Sequence, residues 1–490
     1  MINIDFNEDQ IGEMFGELDA QEDDEKRLDD FFLKTDIFNK IHNRRPLRII
    51  VAQKGVGKSA ILRKSYLENI HNNQLSLWVR PDDIENLETI ENSTDTIELI
   101  RQWKTGLQKL IISKVCDNME LTQNDTVKNG IKSGLKITEQ LSRIIVKLKD
   151  HVNMSEINKL FVEKYTKNNE IYVYIDDLDR AWNGSKENVA RISALVTAAR
   201  NMCSDDNSLK IRISLRSDVY YLFRKADEST DKVSNNVIIL DWSQHELLAM
   251  LVKRVQLYFG EKISDSKLLE MPQDEMAEYL NIVMEDKFKG KGKWNNTPLR
   301  KILLSLVRKR PRDLINLCVL SSRHANTNKR NKIVTDDWES SFSNYSQDRF
   351  NDTIVEHKFE IGNIESLLKG MAPSSSEMKN RREKRLFIYD TKGILAKIGT
   401  IIERGDYRFS NQREKATPQE VLVFLYKINF LTARKTLQSG YIDTKYFEDN
   451  NYLAGLDNVD FGYDWEVHPA FRKVLYPASK DIFETMDIPN

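Results

Sequence analysis

The chain is predicted to fold as an α/β protein whose mostly parallel sheet carries a phosphate-binding turn, followed by a helical lid and a smaller winged-helix-like module. Three observations predict it. Leu47-Arg48-Ile49-Ile50-Val51 is a short apolar run that ends in Ala52-Gln53-Lys54-Gly55-Val56-Gly57-Lys58-Ser59 and opens the periodic segment Ala60 to Leu67. Ile171-Tyr172-Val173-Tyr174-Ile175 is unbroken, as a strand buried on both faces of a parallel sheet requires, and it stops in Asp176-Asp177-Leu178-Asp179-Arg180. Lys210 to Leu215 reads as a third strand and stops in Arg216-Ser217-Asp218.

The first of these is a phosphate-binding loop in its proper setting. A buried strand that ends in a Gly-rich turn and a helix start aims backbone N–H groups, and the positive end of the helix dipole, at one spot where a triphosphate sits. Lys54, Gly55, Val56, Gly57, Lys58, Ser59 and Ala60 form that cradle. Lys58 would reach the β- and γ-phosphates of ATP, and Ser59 would ligate Mg²⁺. Gly55 and Gly57 are free to take positive φ and bring the backbone up to the phosphates. Ala52 stands where the strict pattern has its first glycine, and alanine still lets the chain turn tightly. The plainer alternative is an accidental turn, against which the flanking strand and helix count.

In open α/β sheets ligands bind beyond the carboxyl ends of the strands. Asp176 is therefore expected beside Ser59, holding Mg²⁺ through water, with Asp177 polarising the attacking water. A solvated acidic turn capping a helix that begins near Ser185 is the other reading. It loses ground once the loop at 52–59 is set beside it. Asp179 and Arg180 either brace the turn or, for Arg180, touch a phosphate or a neighbouring subunit. Arg216 shares the rim and has two readings: a sensor of the γ-phosphate that stabilises charge built up in transfer, or a partner of Asp218. The core is thus a P-loop NTPase over residues 1–245, with Lys58, Asp177 and Arg216 as its catalytic set.

The acidic patch Glu17 to Asp24 leads into a helix-like stretch, Lys26 to Phe38, expected against the first strand, and Gln74 to Arg80 reads as the second strand. A helical insertion spans roughly 95–167. Asn236 to Trp242 reads as a further strand, and Glu246 to Val255 opens a helical lid over 246–370. Within it Arg310-Pro311-Arg312-Asp313 places arginines around a helix-starting proline, so Arg310 or Arg312 would reach the nucleotide, or else would bond to local carbonyls. Lys287, Lys289, Lys291 and Lys293 alternate with Phe288, Gly290, Gly292 and Trp294, which suits either a phosphate backbone or a solvated loop; Arg381 to Arg385 carries the same two readings.

The last part, 371–490, begins with Ala372-Pro373-Ser374-Ser375-Ser376, continues with helices near 383–403 and 417–428, and ends in strands at Phe430 to Arg434 and Asp464 to Pro469. That order is a winged-helix pattern. Its second helix is poor in cations, and His468 reads as a structural histidine because no nucleophile or metal-ligand spacing accompanies it.

At 490 residues the chain exceeds one hydrophobic core, and Lys plus Arg at 74 against Asp plus Glu at 75 creates no global field for nucleic acid. Cys116, Cys203 and Cys318 are too few and too scattered for a disulfide framework or a zinc site. No basic leader and no bilayer-length apolar run is evident, so a cytoplasmic protein without membrane contact is expected.

Phe15-Gly16 with Asp19-Ala20, Gly55 to Ala60, Asp176 to Arg180, Leu215-Arg216-Ser217-Asp218, Arg310 to Leu314 and the terminal Trp465-Glu466-Val467-His468-Pro469 together resemble bacterial P-loop ATPases of the KAP and STAND type. These are relatives of the AAA+ and origin-recognition ATPases, and many occur in anti-phage defence. The resemblance implies an ATP- and Mg²⁺-dependent switch that forms a homo-oligomer and controls a separate effector such as a nuclease or toxin, with slow hydrolysis. A DNA-binding loader or clamp of the origin-recognition type is the alternative it leaves open.

Overall fold

The computed structural model describes residues 4–16, 25–85, 95–118, 170–178, 185–226, 231–380, 385–410, 412–439, 441–450, 453 and 461–477. Asp19, Ala20, Asp179, Arg180, Arg381, Arg382 and most of the insertion expected at 95–167 lie outside them. The principal elements run α1 (Glu8–Phe15), α2 (Glu25–Phe31), α3 (Asp36–His42), β1 (Leu47–Ala52), α4 (Lys58–His71), β2 (Leu75–Val79), α5 (Thr96–Asn118), β3 (Ile171–Ile175), α6 (Lys186–Asp205), β4 (Leu209–Arg216), α7 (Ser217–Ala226) and β5 (Val237–Ile239). They continue with α8 (Gln244–Tyr258), α9 (Leu299–Leu306), α10 (Pro311–Thr327), α11 (Thr335–His357), β6 (Ile388–Tyr389), α12 (Thr391–Glu403), α13 (Pro418–Lys427), β7 (Leu431–Thr436), β8 (Ile442–Lys445), β9 (Asp464–Val467) and α14 (Pro469–Leu475). The α/β class expected from the sequence, a parallel sheet followed by helical regions, is the one observed.

The chain divides into two compact units, Asp24–Leu240 and Met1–Asp23 with Asp241–Asn490. In the first, five parallel strands are ordered β2-β3-β4-β1-β5. Every residue of β1 and β3 is buried, which is why their sequences are apolar without alternation. The two faces still differ. Val173, Ile175, Ile211 and Ile213 join a core with α5 and α6, whereas Tyr174 turns its hydroxyl to Ser65 (3.0 Å) and Asn69 (2.7 Å) of α4. A buried phenol needs such partners, because leaving it without one costs on the order of 1–3 kcal/mol.

The single helix expected over 26–38 is two. The chain is extended at Thr35, with φ −102° and ψ 174°, and α3 starts afresh at Asp36. Fully buried Arg212 of β4 clamps the end of α3 and the turn after it, donating to the carbonyls of Ile41 (2.8 Å), Arg45 (2.9 Å) and Asn43. These contacts hold the chain that leads from α3 into β1.

In the second unit, the capping box of Ser243 and Glu246 starts α8. The described N-terminal residues 4–16, expected with the NTPase core, group here instead. The physical reason is α1, whose Ile11, Met14 and Phe15 are buried together with Phe6, and which packs on α8 and α10. Arg254 donates to the Phe15 carbonyl, and Arg323 grips Glu8 through two bonds of 2.9 and 2.8 Å. The C-terminal segment also belongs to this unit, because α11 packs along α14. It contains α12 and α13 followed by β7, β8 and β9, which with β6 form an antiparallel sheet ordered β6-β9-β7-β8.

Candidate functional site: a phosphate loop facing a buried carboxylate

The loop between β1 and α4 has the backbone a phosphate cradle needs. Gly55 has φ 79° and Gly57 φ 104°, in the left-handed region that other residues avoid. Gly57 is the N-cap of α4 and has no side chain to satisfy the amides of the first turn, so the helix that Lys58, Ser59 and Ala60 begin carries no side-chain cap. Lys58 Nζ rests on the carbonyls of Ala52 (3.2 Å) and Gln53 (3.3 Å). It therefore lies back along the loop that it closes. Val56 is buried and anchors the turn, and Lys54 is exposed.

Strand order explains how the acids arrive. β4 lies between β1 and β3, with Ile175 opposite Ile213 and Ala52 opposite Arg216. Asp176, one residue past the end of β3, is buried and accepts a hydrogen bond from the Ser214 hydroxyl on its Oδ1. Its Oδ2 is also buried and has no hydrogen-bond partner. Burial pushes the Asp176 carboxyl above its ordinary range, and the neighbouring Asp177 adds to this; the hydroxyls of Ser214 and Ser59 and the charge of Lys58 pull the other way. Lys58, Ser59 and Asp176 thus meet at one place. The next residue, Asp177, is half-buried and has φ 55°, a conformation that Asp tolerates better than most residues but that still costs about 1–3 kcal/mol.

The residues fit Mg²⁺ and a triphosphate. A buried carboxylate oxygen without a donor, beside the Ser59 hydroxyl, is the donor set of a hard oxygen-loving cation. The uncapped first turn of α4 and Lys58 supply the anion side.

Arg216 occupies the rim, and its partner there is Asp218: Nε donates to Oδ1 at 3.0 Å and Nη2 to Oδ2 at 2.9 Å. Of its two sequence readings, the ion pair describes the observed state. Arg310 requires a correction. It is 3% exposed and donates from Nη1 to Glu356 at 3.2 Å, so a carboxylate of the same helical unit already holds this guanidinium. Arg312, on the first turn of α10, is half-buried. The basic stretch Lys287 to Lys293 is corrected too. Phe288 and Trp294 are fully buried and pack edge to face at 5.8 Å, so the aromatics interleaved with the lysines are core and offer no stacking surface for bases. His468 is structural as expected: Nδ1 accepts from the Ala470 N–H (3.1 Å), Nε2 meets the Tyr446 hydroxyl (3.0 Å), and burial drives its pKa down to about 3. Ser214 is absent from the residues that the sequence motifs single out, although a lone hydroxyl residue between Ile213 and Leu215 in a buried strand is its signal.

The profile of the FunZ-associated C-terminal helical domain matches residues 245–354, the stretch from α8 to α11. The chain is 22% identical over 462 residues to a transposon gamma-delta 80.3 kDa protein of Escherichia coli, an alignment covering 87% of this chain and 62% of that protein. It therefore spans less than two thirds of that relative's length. Among solved structures it is similar to the Walker-type ATPase of Pyrococcus abyssi, at 12% identity and TM-score 0.34 over 77% of this chain and 93% of that one. It is also similar to the Aeropyrum pernix ORC2 protein in its ADPNP–ADP complexes (12% identity, TM-score 0.40, covering 90% and 88%). A third is the Aeropyrum pernix ORC1 protein in complex with DNA (10%, 0.37, 92% and 94%). Among the described residues no helix is long and apolar enough to cross a membrane.

Proposed function

We propose that this chain is an ATP-binding and slowly hydrolysing regulatory ATPase, a homo-oligomeric switch that controls a separate effector protein, such as a nuclease or toxin, in bacterial anti-phage defence. The observation that carries the nucleotide chemistry is the meeting of Lys58 and Ser59 with the buried Asp176 carboxylate across β4. When bound, Mg²⁺ would neutralise charge on the phosphates as the terminal phosphoryl group leaves. Ser59 and Asp176 would hold it. The amides of the α4 N-terminus and the Lys58 ammonium bind the phosphate oxygens. Asp177 orients and polarises the attacking water. Arg216, paired with Asp218 in the observed state, is the rim cation that would meet charge building on the terminal phosphate. The effector role and the defence setting rest on the KAP- and STAND-like motif set.

The decisive test is Lys58→Ala. Loss of the ammonium is expected to weaken binding of a fluorescent ATP analogue about 100-fold, since hydrogen bonds to charged groups are each worth about 1.5–3 kcal/mol. Unchanged affinity in a folded variant ends the proposal.

An ATP-dependent DNA-binding loader or clamp is the second reading, favoured by the pair of helices followed by an antiparallel hairpin at the C-terminal end, in winged-helix order. Leu437 and Tyr441, on facing sides of the hairpin tip, are each 42% exposed. Affinity for duplex DNA that falls steeply with salt, and falls again when Lys287, Lys289 and Lys291 are all changed to Glu, would favour the loader over the effector switch.

A further inference from the structure

We propose that Ser214 is a positioning residue for the metal half of the site: its hydroxyl fixes the rotation of the Asp176 carboxylate so that Oδ2 alone is presented to Mg²⁺. This rests on the nucleotide-binding reading above and names a residue in it that none of the phosphate-loop or acidic-turn motifs contains.

The placement comes from strand order. β4 separates the strand that carries the phosphate loop from the strand that carries the acids, so a side chain from β4 is placed beside both strand ends. Ser214 lies opposite Ile50 of β1, and its neighbour Ile213 lies opposite Ile175 of β3, which sets Ser214 alongside Asp176. Alternation along β4 gives Ile211, Ile213 and Leu215 to the apolar core, while Arg212, Ser214 and Arg216 point to the other face. Arg212 clamps the chain leading into β1, Ser214 donates to Asp176, and Arg216 pairs with Asp218.

Ser214 is fully buried, so its hydroxyl has no water to turn to and its bond to Oδ1 is the one that orders it. A carboxylate rotates about its last torsion in a broad, roughly two-fold well. With Oδ1 engaged by Ser214, that torsion is restricted, and the Ser59 hydroxyl is a second restraint on the same carboxylate. An alanine at 214 would leave both oxygens without this restraint. The carboxylate would then turn toward whichever donor lies nearest, and the cation would have to reorient it on binding.

The experiment measures nucleotide binding in the full-length protein with and without Mg²⁺, in Ser214→Ala and Ser214→Thr. In the wild type, Mg²⁺ is expected to tighten binding of ATP. Ser214→Ala is expected to keep metal-free binding, which depends on Lys58 and the α4 amides, and to raise the Mg²⁺ concentration for half-maximal tightening about tenfold or more, as loss of a hydrogen bond to a charged group predicts. Ser214→Thr, which retains the hydroxyl, is expected to restore the wild-type Mg²⁺ response. An unchanged Mg²⁺ response in Ser214→Ala overturns the positioning role while leaving the nucleotide site standing. Loss of metal-free binding in Ser214→Ala overturns it too, by assigning the residue to the stability of β4. Absence of any Mg²⁺ effect in the wild type would instead count against the metal site itself.

Discussion

Asp176 and Asp313 are both buried carboxylates, 2% and 1% exposed, one in each unit, and their surroundings are opposite. Asp313, on the first turn of α10, accepts from Arg308 Nε at 2.8 Å and from Arg349 Nη1 at 2.7 Å, and these cations hold its pKa far below the ordinary range against the cost of burial. Asp176 has a serine hydroxyl on one oxygen, a second acid as its neighbour and a pKa shifted upward. A buried acid already neutralised by protein cations is part of the framework, whereas one left short of positive charge fits a place where a cation arrives from outside.

The comparison breaks if exchanging the acids for amides has the same effect in both places. Asp313→Asn leaves Arg308 and Arg349 facing each other without their shared anion and is expected to destabilise the helical unit by about 3–5 kcal/mol, read as a lowered urea midpoint. Asp176→Asn is expected to leave that midpoint unchanged or raised, and to abolish the Mg²⁺ enhancement of nucleotide binding. A destabilised Asp176→Asn protein would place it with Asp313 as a structural group.

Acid sharpens the contrast at an intermediate scale. His468 is held neutral by burial and by the charge of Arg308, with its pKa down to about 3 against an ordinary 6.5. Below pH 6.5 the unfolded chain binds a proton that the native ring refuses, so its contribution is fully present above that pH and is lost as pH falls toward 3. The protection factors of the β9 and α14 amides, taken relative to the intrinsic exchange rate at each pH, are therefore expected to fall as pH drops from about 7 to about 5, and His468→Gln is expected to flatten that dependence. Asp313 adds the same sign lower down, with stability present above pH 3.8 and lost below it.

The smallest expected effect concerns Arg216. Asp218→Asn removes the charge from a largely buried two-bond ion pair and, by weakening the hold on the Arg216 guanidinium, is expected to tighten ATP binding about two- to fivefold. Weaker binding in that variant would show that Asp218 holds Arg216 in its working position.

The strand ends and the phosphate loop are legible in the sequence because each is written locally. An apolar run, a Gly-rich turn and a helix start lie within residues 47–67, and the positive φ of Gly55 and Gly57 is what their lack of a side chain allows. The illegible parts depend on partners distant in sequence. Arg310 looks like a free cation until Glu356 is placed against it. Phe288 and Trp294 look like part of an exposed basic loop until they are seen to bury each other. The break between α2 and α3 is hidden because Phe31, Leu33 and Phe38 are all buried and read as one apolar stripe. Ser214 escapes notice for the converse reason: a single hydroxyl in a strand is common, and only the order of strands brings it to Asp176.

The docking of α1 on α8 and α10 carries a cost during synthesis. The apolar face formed by Phe6, Ile11, Met14 and Phe15 leaves the ribosome well before its cover, because the helices that bury it are encoded after the whole parallel-sheet unit. At about 5–20 residues per second that interval is roughly 10–50 s, during which a greasy amphipathic segment waits without its seat. A chaperone that retains nascent chains until their C-terminal halves appear would be expected to improve the yield of this protein, and a bulky fusion ahead of α1 to reduce it.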